Sequence, residues 1–219
     1  PLDVQSVDVK IALVQFNPTV GAVSDNASAI ISRARDAHES GADLAVFPEL
    51  ALTGYPPRDL LLQEGFVGDT REEALRIARE LAGGPTLILG APWRPPERVE
   101  HRGDAFDANA PNTNSLLVIS DGAITHRYDK RLLPTYDVFD EHRYFAPGTS
   151  PLVIEIDGLR VGLSVCEDLW RGHDAGNEQR YLDRPDPVDE LVREGAQLIV
   201  NPSASPFVLG KGETQRDLL

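Results

Sequence analysis

The 219-residue sequence contains a single cysteine, Cys166, and this scarcity excludes several kinds of protein. One cysteine cannot form an internal disulfide, and its use fits a reducing compartment such as the cytoplasm. Cysteine and histidine pairs at the spacing of zinc ligands are also missing, so we expect no structural metal site. The thiol is therefore either a small buried side chain or a group with chemistry of its own.

Long apolar runs and an excess of basic residues are missing as well. No run approaches the roughly 18 residues of a membrane helix, and Pro1–Asp8 lacks the basic and apolar regions of a signal peptide. The 35 acidic residues outnumber the 21 Lys and Arg residues, and the formal net charge of −14 disfavours binding to nucleic acid. We expect a cytoplasmic protein with one domain, residues 1–219, that binds neither membranes nor nucleic acids.

The apolar pattern alternates between short strands and amphipathic helices. Helical spacing predicts helices at Ser24–His38, with Ser24 or Asp25 as the cap, at Asp69–Leu81 and at Val188–Glu194. Apolar runs predict strands at Val9–Gln15, Leu44–Phe47, Thr86–Ala91, Thr113–Ser120, Ala123–Tyr128, Leu152–Ile156, Leu159–Val165 and Gln197–Asn201. Asp-Gly pairs at 121–122 and 157–158 predict two hairpins, and residues 92–111 and 171–187 are predicted to be loops. This order predicts an α/β layered fold with a mixed sheet.

Three chemically active side chains follow predicted strands. Glu49 follows Leu44–Phe47, Lys130 follows Ala123–Tyr128, and Cys166 follows Leu159–Val165. If these strands share one sheet, their ends converge on one pocket. A carboxylate can take the proton of a thiol, and an ammonium can stabilise a thiolate and the oxyanion of a tetrahedral intermediate. The combination predicts a nucleophilic thiol site.

Each of these residues also has a simpler interpretation. A lone cysteine in an apolar run is usually a small buried hydrophobic residue, and a reactive thiol needs a base or a positive charge nearby. Glu49 alone is compatible with a solvated loop carboxylate, and Lys130 alone with a solvated strand end. The functional hypothesis therefore depends on the three residues together.

The segments around these three residues resemble the catalytic motifs of the nitrilase, or carbon-nitrogen hydrolase, superfamily. These segments are Phe47–Leu50, Tyr128–Pro134 and Cys166–Asp168. The wider segments Leu52–Pro57, Leu133–Glu141 and Asn201–Phe207 resemble one branch of it, the glutaminase domain of glutamine-dependent NAD synthetases. The resemblance implies an α-β-β-α sandwich.

The resemblance further implies a hydrolase that converts L-glutamine to glutamate and ammonia without a cofactor. In this scheme Glu49 is the general base, Lys130 stabilises the oxyanion, and Cys166 is the nucleophile that becomes a γ-glutamyl thioester. Glu141 matches a second, supporting glutamate of the superfamily. Its place in an irregular segment is equally compatible with a solvated side chain.

The resemblance also implies a set of residues that bind the amino-acid end of glutamine. Tyr136, Glu167, Ser205 and Lys211 match these positions. Glu167 is chemically suited to this task, because a carboxylate beside the nucleophile can bind the α-ammonium group of the substrate. Lys211 lies between two glycines, which is also typical of an exposed turn.

Partners follow from the same resemblance. In this branch the ammonia passes to an NAD synthetase domain, which uses ATP and magnesium to amidate deamido-NAD and which this sequence does not contain. Nitrilase-type domains normally continue beyond the segment matched by Asn201–Ser205, so we expect a C-terminally incomplete form, and we expect a homo-oligomer. Two alternatives stay open: another small amide, nitrile or carbamoyl substrate, or a catalytically incomplete module that packs against a partner.

Overall fold

Two β-sheets and three α-helices make up the computed structural model, which describes residues 8–94, 112–171, 181 and 183–206. The strands are β1 (Ile11–Leu13), β2 (Leu44–Val46), β3 (Thr86–Trp93), β4 (Thr113–Ser120), β5 (Ala123–Asp129), β6 (Val153–Ile156), β7 (Leu159–Leu163) and β8 (Leu198–Val200). The helices are α1 (Val23–Glu39), α2 (Phe66–Glu80) and α3 (Pro187–Arg193). Strands β1 to β5 form one sheet in sequence order, and β6, β7 and β8 form the other.

Alternation along the strands of the five-stranded sheet gives it two apolar faces. Ala45 of β2 belongs to the core shared with α1 and α2, whereas Leu44 and Val46 belong to the core shared with the second sheet. On the far side of the second sheet, Leu191 of α3 packs against Gly162 of β7, where an added Cβ would lie 3.3 Å from the leucine side chain. Burial of each large apolar side chain contributes about 1.5–3 kcal/mol. The layers are helix, sheet, sheet and helix, which confirms the predicted α-β-β-α sandwich.

Both predicted hairpins are confirmed. The turn between β4 and β5 has Asp121 at φ 50° and Gly122 at φ 81°, and the turn between β6 and β7 has Asp157 at φ 49° and Gly158 at φ 85°. Two central residues with positive φ match the right-handed twist of the flanking strands. These turns fix the register of β5 and of β7, and each of these strands leads into a candidate site residue.

The predicted cap of α1 is wrong. The helix begins at Val23, its cap position is Ala22, and no side chain caps it. Asn26 instead bonds both backbone polar groups of Thr19, at 3.0 and 2.8 Å. These bonds tie the chain that enters the helix to its first turn, so a side chain within the helix fixes its start.

The predicted loop at 92–111 begins later than expected, because β3 continues to Trp93. Residues 95–111, and 172–180 and 182 of the loop predicted at 171–187, lie outside the described residues. Within the described parts of the chain, the structure contains no helix with the length and apolarity needed to cross a bilayer.

Candidate active site

Glu49 and Lys130 lie at the same edge of the first sheet. Strands β2 and β5 run in the same direction, because β2 is parallel to β3 and the chain then reverses at β4 and again at β5. Cys166 follows β7, which belongs to the second sheet. The three strands therefore do not lie in one sheet, which was the condition under which their ends were expected to converge. Strands β6 to β8 pair with one another and stack on the first sheet, so the site lies where two stacked sheets end.

Lys130 is bonded to two carboxylates in a fully buried cluster. Its Nζ donates to Glu49 Oε1 at 2.8 Å and to Glu141 Oε1 at 2.9 Å, and the lysine side chain is 0% exposed. Burial alone lowers the pKa of Lys130, but the carboxylates of Glu49 and Glu141 outweigh burial and hold it well above its ordinary value. The lysine is therefore a permanent positive charge next to two acids.

Glu49 has two further partners that sequence reasoning missed. Asn114 Nδ2 of β4 donates to Glu49 Oε1 at 2.8 Å, and the backbone N–H of Ala204 donates to Glu49 Oε2 at 2.9 Å. Asn114 had only a weak sequence signal, because it is one of several polar residues at the start of β4. The contact from Ala204 had none, because any residue carries a backbone N–H. Together they fix the orientation of the carboxylate.

Cys166 lies at a strained backbone position. It is the first residue of the short 3₁₀ helix Cys166–Leu169 and has φ 43°, a value that costs a non-glycine residue about 1–2 kcal/mol. Its N–H bonds the carbonyl oxygen of Pro202 at 3.1 Å. Burial raises the pKa of the thiol and Glu49 raises it further, while Lys130 lowers it. The resting group is thus a protonated thiol that needs a base in order to react.

Glu141 forms the third member of the cluster from the 3₁₀ helix Glu141–Arg143. Besides Lys130 it accepts a hydrogen bond from the hydroxyl of Tyr55 at 2.9 Å. Burial raises the pKa of Glu141, Lys130 lowers it and Glu49 raises it, and the balance is about 7. The alternative of a solvated Glu141 side chain is wrong, because the residue is 4% exposed.

The raised pKa of Glu141 predicts a pH-dependent stability. Its ordinary value is 4.5, so the folded state holds the proton more tightly than the unfolded chain. The stability from this group is therefore fully present below pH about 4.5 and is lost as the pH rises through about 7. We expect the difference in unfolding free energy between Glu141→Gln and the unsubstituted chain to rise by about 2.5 kcal/mol in favour of Glu141→Gln from pH 5 to pH 8, measured by urea titration. Glu155→Gln, at an exposed position of β6, serves as the control, and a Glu141→Gln difference that stays constant with pH would contradict the prediction.

The carboxylate of Glu167, the residue after Cys166, is held by two tyrosines. The hydroxyl of Tyr136 donates to Oε2 at 2.9 Å, and that of Tyr181 donates to Oε1 at 3.0 Å. The structure thus brings together two of the predicted substrate-binding residues, Tyr136 and Glu167. Sequence reasoning missed Tyr181, because it lies in a polar segment without a recognisable pattern. Glu167 is 2% exposed, so its negative charge is buried beside the thiol.

The two remaining predicted substrate-binding residues lie near the end of the chain. Ser205 is half-buried and follows Ala204, whose N–H bonds Glu49. Lys211 lies outside the described residues. The segment that carries Ser205 therefore contacts the charged cluster through its backbone.

A cleft adjoins the cluster on the side of Glu141. It has a volume of about 360 Å³, and Tyr55, Phe139 and Glu141 are among the residues that line it.

Among residues 8–94, 112–171, 181 and 183–206, no group of three or more His, Cys, Asp and Glu side chains is arranged to hold a metal ion. Glu49, Lys130 and Glu141, together with Cys166, provide acid–base and nucleophilic side chains at this site.

The sequence matches the carbon-nitrogen hydrolase family over residues 10–175. Among curated proteins, the glutamine-dependent NAD(+) synthetase of Synechocystis sp. is 38% identical over 209 residues, which are 95% of this chain and 36% of that protein. The enzyme of the same name from Xylella fastidiosa is 39% identical over 96% of this chain and 34% of its own length. The chain thus spans about a third of the length of these relatives.

Solved structures show the same architecture. The glutamine-dependent NAD+ synthetase of Acinetobacter baumannii, in complex with ADP, superposes with a TM-score of 0.79 at 29% identity over 95% of this chain and 34% of that one. A mutant of the amidase from Nesterenkonia sp. AN1, which shows the result of Michael addition of acrylamide at its active site cysteine, gives a TM-score of 0.69 at 25% identity over 94% of this chain and 70% of that one. Sequence motifs, layer order and relatives agree, and the chain belongs to the carbon-nitrogen hydrolase family.

Proposed function

We propose that the chain is the glutaminase domain, residues 1–219, of a glutamine-dependent NAD synthetase. It hydrolyses the side-chain amide of L-glutamine to glutamate and ammonia, and the ammonia serves a synthetase domain that amidates deamido-NAD. The observation that carries the proposal is the buried cluster of Glu49, Lys130 and Glu141 beside the strained turn at Cys166. The relatives of that name, which align with 95% of the chain, support the choice of glutamine.

The first half of the proposed reaction forms a thioester. The sulfur of Cys166 attacks the amide carbon of glutamine while Glu49 takes the thiol proton, as the raised pKa of the thiol requires. Oxygen Oε2 of Glu49 is suited to this step, because it accepts one described hydrogen bond, from Ala204. Oxygen Oε1 accepts two, from Lys130 and Asn114. The proton then passes to the amide nitrogen, the carbon–nitrogen bond breaks, and ammonia leaves.

The second half consumes water. Glu49 takes a proton from a water molecule as the water oxygen attacks the thioester carbon. The carbon–sulfur bond then breaks, Glu49 returns the proton to the sulfur, and the free thiol and glutamate result. Both tetrahedral intermediates carry a negative oxygen. Lys130 has three N–H donors, and its described hydrogen bonds to Glu49 and Glu141 use two of them. The third is assigned to the oxyanion.

Glu141 has an acceptor that suits the substrate amide. Its Oε2 atom is buried, and among the residues that the structure describes it meets no hydrogen-bond donor. A buried acceptor without a partner costs about 1–3 kcal/mol. The NH₂ group of a primary amide, bound between Glu141 and Cys166, satisfies this acceptor, which supports an amide as the substrate class.

Glu167 provides the test of glutamine as the substrate. We expect the parent chain to release ammonia from L-glutamine, and Glu167→Gln to raise the KM for glutamine about 10–100-fold with little change in kcat, because a contact to the charged α-ammonium is worth about 1.5–3 kcal/mol. Butyramide, which has an amide but no amino-acid end, serves as the comparison substrate in an ammonia-release assay. Glu155→Gln is the matched control. Equal losses on glutamine and butyramide in Glu167→Gln would contradict the assignment.

The proposal also covers the cofactors, the cellular location and the oligomeric state. Water is the only co-reactant of glutamine hydrolysis, so the chain needs no cofactor, whereas ATP and magnesium belong to the synthetase domain. A cytoplasmic location is proposed because a nucleophilic thiol has to stay reduced. The expected homo-oligomer stays a prediction, which analytical ultracentrifugation of the parent protein can decide.

A further inference from the structure

The carboxylate of Asp168 is fully buried and accepts four hydrogen bonds. Oδ1 accepts from the backbone N–H of Arg131 at 3.0 Å and of Leu132 at 2.8 Å. Oδ2 accepts from the hydroxyl of Tyr128 at 2.8 Å and from the backbone N–H of Val165 at 2.9 Å. The side chain is therefore saturated from within the protein, and the mechanism above does not use it.

The partners of Asp168 belong to the two halves of the site. Tyr128, Arg131 and Leu132 flank Lys130, at the end of β5 in the first sheet. Val165 directly precedes Cys166, after β7 in the second sheet. One carboxylate group thus joins the segment that presents the ammonium to the segment that presents the thiol.

Asp168 also closes the turn that strains Cys166. Its own N–H bonds the carbonyl oxygen of Val165 at 2.9 Å, while its carboxylate accepts the N–H of Val165 in return. This reciprocal pair holds residues 165–168 in a tight 3₁₀ turn with Cys166 at φ 43°. A positive φ at a non-glycine residue persists only where its surroundings enforce it.

We propose that Asp168 is a positioning residue that sets the place of the Cys166 thiol relative to the Lys130 ammonium across the two sheets. The proposal rests on the proposed function in so far as this relative position matters for thioester formation. Asp168 reaches neither the thiol nor the ammonium through its own described hydrogen bonds, and it acts through the backbone on either side of them. Misplacement of reacting groups by about 1 Å is enough to cost about 100-fold in rate.

Asp168→Asn changes the hydrogen bonds of the side chain at this position and keeps its shape. The amide NH₂ of asparagine cannot face the two backbone N–H donors at the Oδ1 position, so it has to take the Oδ2 position, where the hydroxyl of Tyr128 can rotate to accept from it. The N–H of Val165 cannot rotate and meets a second donor. The substitution therefore loosens the Cys166 turn and spares the bonds to Arg131 and Leu132.

The experiment compares the parent chain with Asp168→Asn, Tyr128→Phe and Asp186→Asn. Asp186 is the matched control, because its carboxylate also accepts two backbone N–H groups, at the start of α3. We expect Asp168→Asn to lower kcat about 100-fold with KM for glutamine within about threefold, and to slow the alkylation of Cys166 by iodoacetamide about tenfold. We expect Asp186→Asn to lower the thermal midpoint while leaving kcat and alkylation unchanged.

The outcomes separate this inference from the proposed function, because alkylation needs no glutamine. A parent chain without glutaminase activity, combined with slower alkylation in Asp168→Asn, defeats the proposed function and supports the positioning role. Parental kcat and alkylation in a folded Asp168→Asn overturn the positioning role. If Asp168→Asn does not fold, Tyr128→Phe decides, since it removes one donor of the four: a kcat about fivefold lower at constant KM supports the proposal, and an unchanged kcat overturns it.

Discussion

Replacement of Cys166 by alanine is expected to abolish ammonia release from glutamine, with a fall in kcat of at least about 10⁴-fold. The physical reason is that Glu49 and Lys130 can polarise an amide and a water molecule, but without the sulfur no thioester divides the reaction into two easier steps. The side chain is 5% exposed in an apolar environment, so alanine leaves a small cavity and the fold persists. A coupled glutamate assay together with far-UV circular dichroism measures both quantities.

The single cysteine gives this experiment a clean control. An alkylating glutamine analogue with a diazo-ketone group is expected to add once to the parent chain and not to Cys166→Ala, because the sequence holds no other thiol. Intact-protein mass spectrometry detects the adduct. Substantial glutaminase activity in Cys166→Ala, or an unlabelled cysteine in the folded parent, would refute the nucleophile and favour a non-catalytic module.

Replacement of Lys130 by methionine is expected to destroy both activity and much of the stability. The substitution leaves the carboxylates of Glu49 and Glu141 buried, 2.8 and 2.9 Å from the place where an ammonium was. Removing one partner of a buried ion pair costs about 3–5 kcal/mol, because the remaining charge is left uncompensated. We expect a loss of this size in urea-induced unfolding at pH 8, and ammonia release below detection.

The double variant Lys130→Met/Glu141→Gln distinguishes the two effects of that substitution. Without the ammonium, the pKa of Glu141 rises further and its carboxyl group takes up a proton beside Glu49. The neutral amide of glutamine at position 141 avoids this cost, so part of the lost stability should return. Activity should stay absent, because the oxyanion still lacks its cation. A Lys130→Met chain as stable as the parent would show that the cluster does not carry the charges assigned to it.

The sequence predicted most of the secondary structure because the signals were local. The Asp121-Gly122 and Asp157-Gly158 turns require positive φ at both central residues, and these residue types accept that conformation at low cost. Apolar runs likewise located the strands that end near Glu49, Lys130 and Cys166. The start of α1 was not predicted, because no side chain caps the helix and Asn26 instead ties its first turn to the backbone of Thr19.

The parts of the site that the sequence did not predict depend on long-range pairing. Nothing local indicates that β7 joins a second sheet, and the side chain of Asp168 found partners near Lys130 only once that sheet had stacked on the first. The contact from Ala204 to Glu49 joins residues 155 positions apart and uses a backbone group. Residue types in the sequence indicate which chemistry is possible, whereas backbone donors and the stacking of two sheets can be identified only in the folded structure.

That contact between Ala204 and Glu49 also constrains the order in which the protein can assemble. The five-stranded sheet and its two helices use residues up to Asp129, so they can form while the ribosome is still adding the second sheet. Pairings this distant in sequence close slowly, because a long loop has to be ordered before they contribute. We therefore expect Glu49 to gain its hydrogen bond from Ala204 only after β8 has been synthesised. The Cys166 thiol likewise reaches its folded surroundings only then. A nascent chain therefore carries a catalytically inactive cysteine until almost the whole described fold exists.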